Sequence, residues 1–251
     1  NFIPEIYYSP LSKTQVDGET IELQSKKKFA KNELYKAKQL CSTYNSSDAL
    51  VTDKKNKKDK LSPGKLYSLS KLQNFLGKKY KMSMAESLEI VQGLYEKGYV
   101  TYPRTNSEYL ATAEKDKVKG VISAISKIGY DVKFKDNKTI FDDSKIESHS
   151  ALIPTYKIPQ KDKLSEDEFT VYKTILRRFA AVFCAEDCIA EKSEIKIDVG
   201  GFEDFSLKGT VIVEKGWTKY DDSTQKDKIL PNLQKGDIVN TDFKPTEKET
   251  T

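Results

Sequence analysis

The chain has 251 residues, 37% of them hydrophobic and 32% charged, and 43 basic against 38 acidic side chains give a formal charge of +5. That length suffices for one or two domains with an ample core. The modest charge permits nucleic-acid binding without proving it, and no apolar run approaches the roughly 18 residues that a membrane helix needs. Three cysteines and one histidine supply no disulfide framework and make a structural zinc site unexpected, so reduced, buried thiols in a cytosolic setting are the reading.

In chain order, the N-terminus opens without signal-peptide character, in a strand-like run of Phe2, Ile3, Ile6, Tyr7 and Tyr8. A helix is expected around 29–41. The lysine run Lys26, Lys27, Lys28 reads as a solvated face, and the run Asp53-Lys54-Lys55-Asn56-Lys57-Lys58-Asp59-Lys60 as a charged linker. Ser62-Pro63-Gly64 is a turn signal, and a domain boundary is expected there. Helices are then expected over 69–79, 85–97 and 112–128, with a polar, loop-rich stretch over 131–148. Ser83 and Glu86 form a capping box, as do Ser165 and Glu168. The stripe Phe169, Tyr172, Leu176, Phe179 and Phe183 is that of a core helix. Cys184 and Cys188 stand at i, i+4, close enough to touch if both are helical. Beyond Glu191 the period falls to two: Ile195, Ile197 and Val199, then Phe205 and Leu207, then Val211 and Val213, read as antiparallel strands. The fold class is therefore α+β, an α-rich insertion within a β-rich unit, with parts at 1–62, 63–185 and 186–251.

The chemistry concentrates at Tyr99-Val100-Thr101-Tyr102-Pro103-Arg104-Thr105-Asn106-Ser107. Gly98 ends the preceding helix, and Pro103 pushes Tyr102 toward extended geometry. In an extended segment residues i and i+2 share a side, so Tyr102 and Arg104 are expected to point together, with Thr105 or Asn106 capping a following helix. Arginine occurs only at positions 104, 177 and 178, so 40 of the 43 basic residues are lysine. A guanidinium grips a phosphate bidentately and lysine does not. By composition alone, Tyr102 is one of 14 tyrosines and Arg104 a surface charge.

The run from Leu94 to Ser107 resembles the active-site signature of type IA DNA topoisomerases, and the proline after the tyrosine resembles the topoisomerase III branch. In the same order, Tyr67 to Gln73 is similar to the segment opening the tyrosine-bearing domain. Glu147 to Thr155 resembles the histidine motif, and Val171 to Phe179 the helix after it. Gly209, then Gly216-Trp217, then Leu230-Pro231 and Gly236-Asp237 resemble later strand motifs. Asn106 stands where that family commonly has aspartate, and Ser148 precedes the histidine where the family often has His or Ala. The acidic, metal-binding element of the Toprim domain is not seen. The resemblance implies a fragment: a helical tyrosine domain inserted into the β arch of a torus, without the Toprim domain. It implies Tyr102 as the nucleophile on single-stranded DNA, forming a 5′-phosphotyrosine link, with Arg104 and His149 on the phosphate and Ser70 and Gln73 as weaker DNA contacts. It further implies relaxation and decatenation without ATP, and Mg2+ held by the Toprim domain of the parent enzyme and not by this chain. The implied partners are single-stranded DNA and the remaining domains of the same parent chain, in the bacterial cytoplasm at the nucleoid. The fragment alone is expected to be inactive.

Other classes remain to be weighed. A non-catalytic single-strand-binding module would bind in a salt-sensitive manner indifferent to Tyr102. A tyrosine recombinase needs more arginines and histidines than occur here, and a relaxase needs a histidine cluster. A surface interaction domain would use its tyrosines only for packing. Arg177 and Arg178, on an amphipathic helix, read as a salt bridge or a phosphate contact. Trp217 with Tyr220 reads as a packed sheet aromatic or a base-stacking platform.

Overall fold

The computed structural model describes residues 4–221 and 227–250; Phe2 and Ile3 of the expected first strand lie outside them. The chain is α+β and divides into two compact units. The first comprises Asn1–Asp59, Ala190–Val213 and Gln225–Thr251, and the second Lys60–Ile189 and Glu214–Thr224. The stretch 214–224, which the sequence had grouped with the later β part, thus belongs to the helical unit.

In the first unit, β1 (Ile6–Val16) is the central strand of an antiparallel sheet. It pairs with β2 (Glu19–Gln24) from Leu11 to Val16, with β3 (Phe29–Ala30) at Tyr7 and Tyr8, and with the last strand (Phe243–Glu249) from Ile6 to Ser12. The expected helix over 29–41 is displaced. Phe29 and Ala30 pair with β1, a 3-10 turn spans Lys31–Glu33, and α1 runs Leu34–Asn45. Glu33 accepts from the Ala30 amide at 3.3 Å and so marks the true start of the turn. The helix continues past 41 because Cys41 and Tyr44, three residues apart on one face, both enter the core.

The charge run 53–60 is not a linker. It lies in β4 (Ala49–Leu61). Ala49 and Val51 anchor that strand in the core. Beyond them, ion pairs bridge residues two apart on one face, Lys55 to Asp53 at 3.2 Å and Lys57 to Asp59 at 2.8 Å, and Lys192 reaches Asp59 at 3.0 Å. A sheet held by backbone bonds can carry a fully charged face, and opposite charges at i, i+2 remove the repulsion expected of a lysine run. The second sheet follows the order β6 (Glu203–Glu214), β5 (Cys188–Val199), β4, β7 (Ile238–Val239), which makes the Phe243–Glu249 strand β8. Ile195, Ile197 and Val199 of β5 and Phe205 and Leu207 of β6 are buried, as the period of two expected. Tyr44 packs edge-on against Phe243 at 5.0 Å and Phe205 at 6.1 Å. Its hydroxyl donates to Glu203 at 2.6 Å, and Ser25 Oγ and the Lys26 amide donate to the same carboxylate at 2.6 and 2.7 Å. Burial opposes the charge on Glu203, but these donors outweigh it and hold its carboxyl below the ordinary range near 4.5.

The helical unit holds α2 (Leu69–Tyr80), α3 (Met84–Glu96), α4 (Lys115–Ser126) and α5 (Glu166–Val182). Both expected capping boxes form: Ser83 accepts from the Glu86 amide and Ser165 from the Glu168 amide, each at 3.1 Å. Helix α5 is the core element. Val171, Tyr172, Ile175, Phe179 and Ala180 are all nearly inaccessible. It ends at Val182, so Cys184 and Cys188 do not share a helix: Cys184 follows the helix cap and Cys188 opens β5, both buried and free. Trp217 is also buried, on a 3-10 turn (Gly216–Lys219) and not in a sheet, with its indole N–H donating to Leu61 O at 2.8 Å. Arg178 does form a salt bridge, to Asp221 at 3.1 Å.

Gly216 has φ +45°, and a Cβ there would lie 2.4 Å from the Asp187 carbonyl and the Cys188 amide. Gly129, in the same unit, has φ +96° and open space around the same position. Gly129→Ala is expected to lower stability by about 1–2 kcal/mol, the left-handed penalty alone, and Gly216→Ala by clearly more, as read by urea unfolding. A second test concerns Glu203. Its depressed carboxyl contributes stability above the unfolded value, which is lost as pH falls through the folded one. The gap in urea midpoint between wild type and Glu203→Gln is therefore expected to be widest near neutrality and to close below pH 4.5.

Candidate active site

Residues 98–107 carry the expected nucleophile and are held on both sides. Helix α3 ends beneath them: Lys97 donates its amide to Gly93 O at 3.0 Å, and Gly98 turns the chain with φ +78°. Val100 makes an isolated bridge, the chain turns tightly at Arg104, where the Thr105 amide donates to Pro103 O at 2.9 Å, and exposure alternates along the segment. Pro103, Thr105 and Ser107 are buried, whereas Arg104 and Asn106 are exposed and Tyr102 is half-buried. Tyr102, Arg104 and Asn106 are thus the more accessible of residues 102–107. No helix follows at Thr105 or Asn106, and neither serves as a helix cap. Thr105 Oγ1 instead accepts from the Ser107 amide at 3.1 Å and donates to His149 O at 2.8 Å.

That last bond belongs to a longer seam. Residues 147–155 run alongside, with the Thr101 amide donating to Ile153 O and the Thr155 amide to Tyr99 O, both at 2.9 Å. Val100 bridges Pro154 in antiparallel fashion. The Ile153 amide donates to Thr101 Oγ1 at 3.0 Å, and Thr155 Oγ1 donates to Gly98 O at 2.7 Å. At the far end, Asn106 Nδ2 donates to Glu147 Oε2 at 2.8 Å. A third strand of backbone joins from the start of α2: the Leu152 amide donates to Tyr67 O at 2.8 Å and the Leu69 amide to Thr105 O at 3.0 Å.

The seam sets two rings side by side. Tyr102 and His149 have centroids 4.4 Å apart at 47°, and Tyr95, from the last turn of α3, meets Tyr102 edge-on at 5.5 Å. His149 is exposed. Arg104 makes no hydrogen bond or ion pair with a described residue, and it is exposed. Of the weaker candidates, Ser70 is exposed in the first turn of α2, with its hydroxyl 3.4 Å from that of the cap Ser68. Gln73 is half-buried and donates to Met84 O at 2.9 Å, a bond that ties α2 to α3.

Sequence reading overlooked Tyr95 and the Asn106–Glu147 tie. Tyr95 lies near the end of the expected helix, and its signal was the seven-residue step to Tyr102 across the Gly98 turn. Among the described residues no group of three or more His, Cys, Asp or Glu side chains suits a metal ion, and no helix is long and apolar enough to cross a membrane. Tyr102 and His149 thus meet ring to ring, and Arg104 is exposed with no hydrogen-bond or ion-pair partner among the described residues.

Over residues 1–251 the chain matches the family of DNA topoisomerases. It is 33% identical to DNA topoisomerase 3 of Bacillus licheniformis, over 95% of this chain and 35% of that protein. It is 32% identical to DNA topoisomerase 3 of Bacillus subtilis with the same coverage, and 30% identical to DNA topoisomerase 1 of Alkalihalophilus pseudofirmus over 85% of this chain and 31% of that one. The chain thus spans about a third of the length of the curated relatives it matches. Its fold is similar to that of full-length topoisomerase I from Thermotoga maritima, with a TM-score of 0.71 and 22% identity, over all of this chain and 42% of that one. Matched along its whole length, and joined to topoisomerase 3 relatives over nearly all of it, the chain belongs to the type IA DNA topoisomerases.

Proposed function

We propose that this chain supplies the tyrosine half of a strand-cleaving site, in which Tyr102 attacks a backbone phosphate of single-stranded DNA. The observation that carries this reading is the Tyr102–His149 ring pair at 4.4 Å, with Arg104 exposed and unpaired two residues along. The Tyr102 Oη–P bond forms as the P–O3′ bond breaks. The phenol gives up its proton, and the departing 3′ oxygen gains one. The downstream strand is left on the enzyme as a 5′-phosphotyrosine, and the upstream strand ends in a 3′ hydroxyl. One phosphodiester replaces another, so the step is reversible and needs no ATP.

Arg104 would take the non-bridging oxygens bidentately as charge builds in the transition state. His149 would donate to the same phosphate from beside the ring. Ser70, at the start of α2, would contact the strand nearby, and Gln73 would act chiefly through its tie to α3. The described residues do not suit a divalent cation, so no step here runs through one. The Mg2+ of the resembled enzymes would be held by a Toprim domain on other parts of the parent chain. The parent would relax and decatenate DNA at the nucleoid of a bacterial cell, and this chain alone is expected not to relax supercoils.

The test mixes this chain with a separately expressed Toprim-containing half, magnesium and single-stranded DNA labelled at either end. The expected product on a denaturing gel is a protein adduct carrying the 3′ label and not the 5′ label. It should vanish in Tyr102→Phe and fall on the order of a hundredfold in rate in Arg104→Ala. No adduct when the halves associate and bind DNA would leave a single-strand-binding module as the reading, and an adduct that survives Tyr102→Phe would move the nucleophile to another residue. The seam has its own test. Thr105→Val keeps the shape and removes the hydroxyl between Ser107 and His149. It is expected to lower stability by roughly 1–3 kcal/mol and to weaken the ring-to-ring NMR contacts between Tyr102 and His149.

A further inference from the structure

A cavity of about 590 Å3 opens in the helical unit, and none of Tyr95, Tyr102, Arg104 or His149 lines it. Its walls come from the 60–66 segment ahead of α2, from the loop at 133–140 and from the 182–188 stretch at the end of α5. Leu66, Ile140, Val182 and Trp217 give it a buried apolar side. Trp217 is the single tryptophan of the chain, and its indole N–H is already committed to Leu61 O at 2.8 Å.

Most charges of the lining already have partners. Asp187 pairs with Lys60 at 2.7 Å and Asp136 with Lys115 at 2.8 Å. Glu186 takes Lys219 at 2.8 Å and shares it with Asp131 at 3.1 Å. Lys65 donates to the Tyr109 hydroxyl and feels the charge of Glu108. Two ammoniums are left. Lys133 and Lys135 both line the cavity, and neither side chain makes a hydrogen bond, ion pair or ring contact with a described residue. Lys133 is exposed, whereas Lys135 is half-buried. Burial first, then the like charges of Lys133 and Lys60, lower the Lys135 ammonium from its ordinary value near 10.5, against the pull of Cys184 and Asp187. A half-buried cation without a counter-charge costs stability, and an anion brought to it removes that cost.

We propose that this cavity is a seat for a phosphate monoester, with Lys133 and Lys135 taking the phosphate and the apolar side beside Trp217 taking the body of the ligand. Two free ammoniums answer a monoester, which carries a charge of about −1.5 to −2 at pH 7. A carboxylate or an internal phosphodiester brings only one charge and would leave one lysine unanswered. Lysine holds a phosphate as a point charge and needs no planar fork for it. The volume lies within the roughly 300–1,000 Å3 of small-molecule pockets, and a mostly apolar wall with a few polar groups on one side is their usual make-up. A half-buried lysine of lowered basicity in such a cavity is itself a mark of a binding site. The proposal concerns binding and does not rest on cleavage at Tyr102.

The test titrates the 251-residue chain with thymidine 5′-monophosphate and follows Trp217 fluorescence, which reports on the cavity because the chain has no second tryptophan. A saturable change is expected, with inorganic phosphate binding more weakly and thymidine giving none. Lys133→Gln and Lys135→Gln should each weaken binding about tenfold. Lys138→Gln, on the same loop but outside the lining, should leave it unchanged. Lys135→Met gives an independent reading by urea unfolding. It removes the half-buried charge and keeps the stem, so the midpoint of the free chain should rise, and the further rise that the nucleotide gives the wild type should disappear. A 5′-phosphorylated octathymidylate that competes as well as the mononucleotide, where the 5′-hydroxyl octamer does not, would support the seat and make a strand end its source. No saturable change, or unchanged binding in Lys133→Gln and Lys135→Gln variants shown by circular dichroism to be folded, would overturn the proposal. So would tighter binding of the 5′-hydroxyl octamer than of the mononucleotide, which would make the cavity a strand groove. A Lys135→Met variant that loses stability yet keeps the rise given by the nucleotide would make this side chain a packing residue and overturn it as well.

Discussion

The arrangement around Tyr102 depends on one constraint: two extended segments far apart in sequence must lie in register as short backbone partners. The amides of Thr101 and Thr155 and the hydroxyls of Thr101, Thr105 and Thr155 fix residues 98–107 against 147–155. A one-residue slip in such pairing would turn Tyr102 from the accessible face to the buried one. The threonines matter because each hydroxyl bonds to the backbone beside it or across the seam, so that a stretch too short to be a sheet is still specified. The start of α2 adds a third partner through Tyr67 and Leu69. The Tyr102 ring is thereby held by three pieces of chain, and none of them can move without breaking bonds to another.

Around that seam the helices do different work. Helix α3 delivers the segment and supplies Tyr95 against Tyr102. Helix α5 carries much of the core, and Tyr172 on it meets Tyr99 at 6.4 Å just ahead of the seam. Lys97, at the α3 cap, pairs with Glu168 of the α5 capping box at 2.5 Å, so the end of one helix is fastened to the start of the other. Exposed pairs of this kind add little stability, but this one fixes an angle where the chain turns toward the site.

What the sequence disclosed follows from how local each signal is. Capping boxes, the α5 stripe and the alternation through β5 are read from neighbours within a few residues, and those elements form as expected. The run at 53–60 misled because its charges suggested solvent and nothing in it announces a partner. Strand character there comes from the β4 neighbours in the sheet and from the ion pairs along its face. The helix after Phe29 shifted for the same reason, since pairing of Phe29 and Ala30 with β1 is a contact across more than twenty residues of sequence. At the site, the turn at Gly98 was legible from the sequence, whereas the tight turn at Arg104, where the Thr105 amide donates to Pro103 O, was not. The contact between Tyr102 and His149 was legible only through resemblance, because 46 intervening positions separate them and no local rule brings them together.

The use of arginine ties these observations to the proposed chemistry. All three arginines lie in the helical unit of a chain that otherwise relies on lysine. Arg178 shows why one of them is needed: a single guanidinium meets the Asp221 carboxylate, the Lys65 carbonyl and the Tyr67 hydroxyl at once. An ammonium has three donors on a flexible stem and no planar fork with which to hold such a set. Arg104 carries the same fork on a segment whose backbone is already fixed, yet it finds no carboxylate or carbonyl among the described residues. Its neighbours Thr105 and Asn106 are both committed to the seam, by bonds to His149 O and Glu147. A rigid mount with its donors left open is what a planar, multidentate acceptor from outside the chain requires. A backbone phosphate beside the Tyr102 hydroxyl is the acceptor that the proposed reaction brings there.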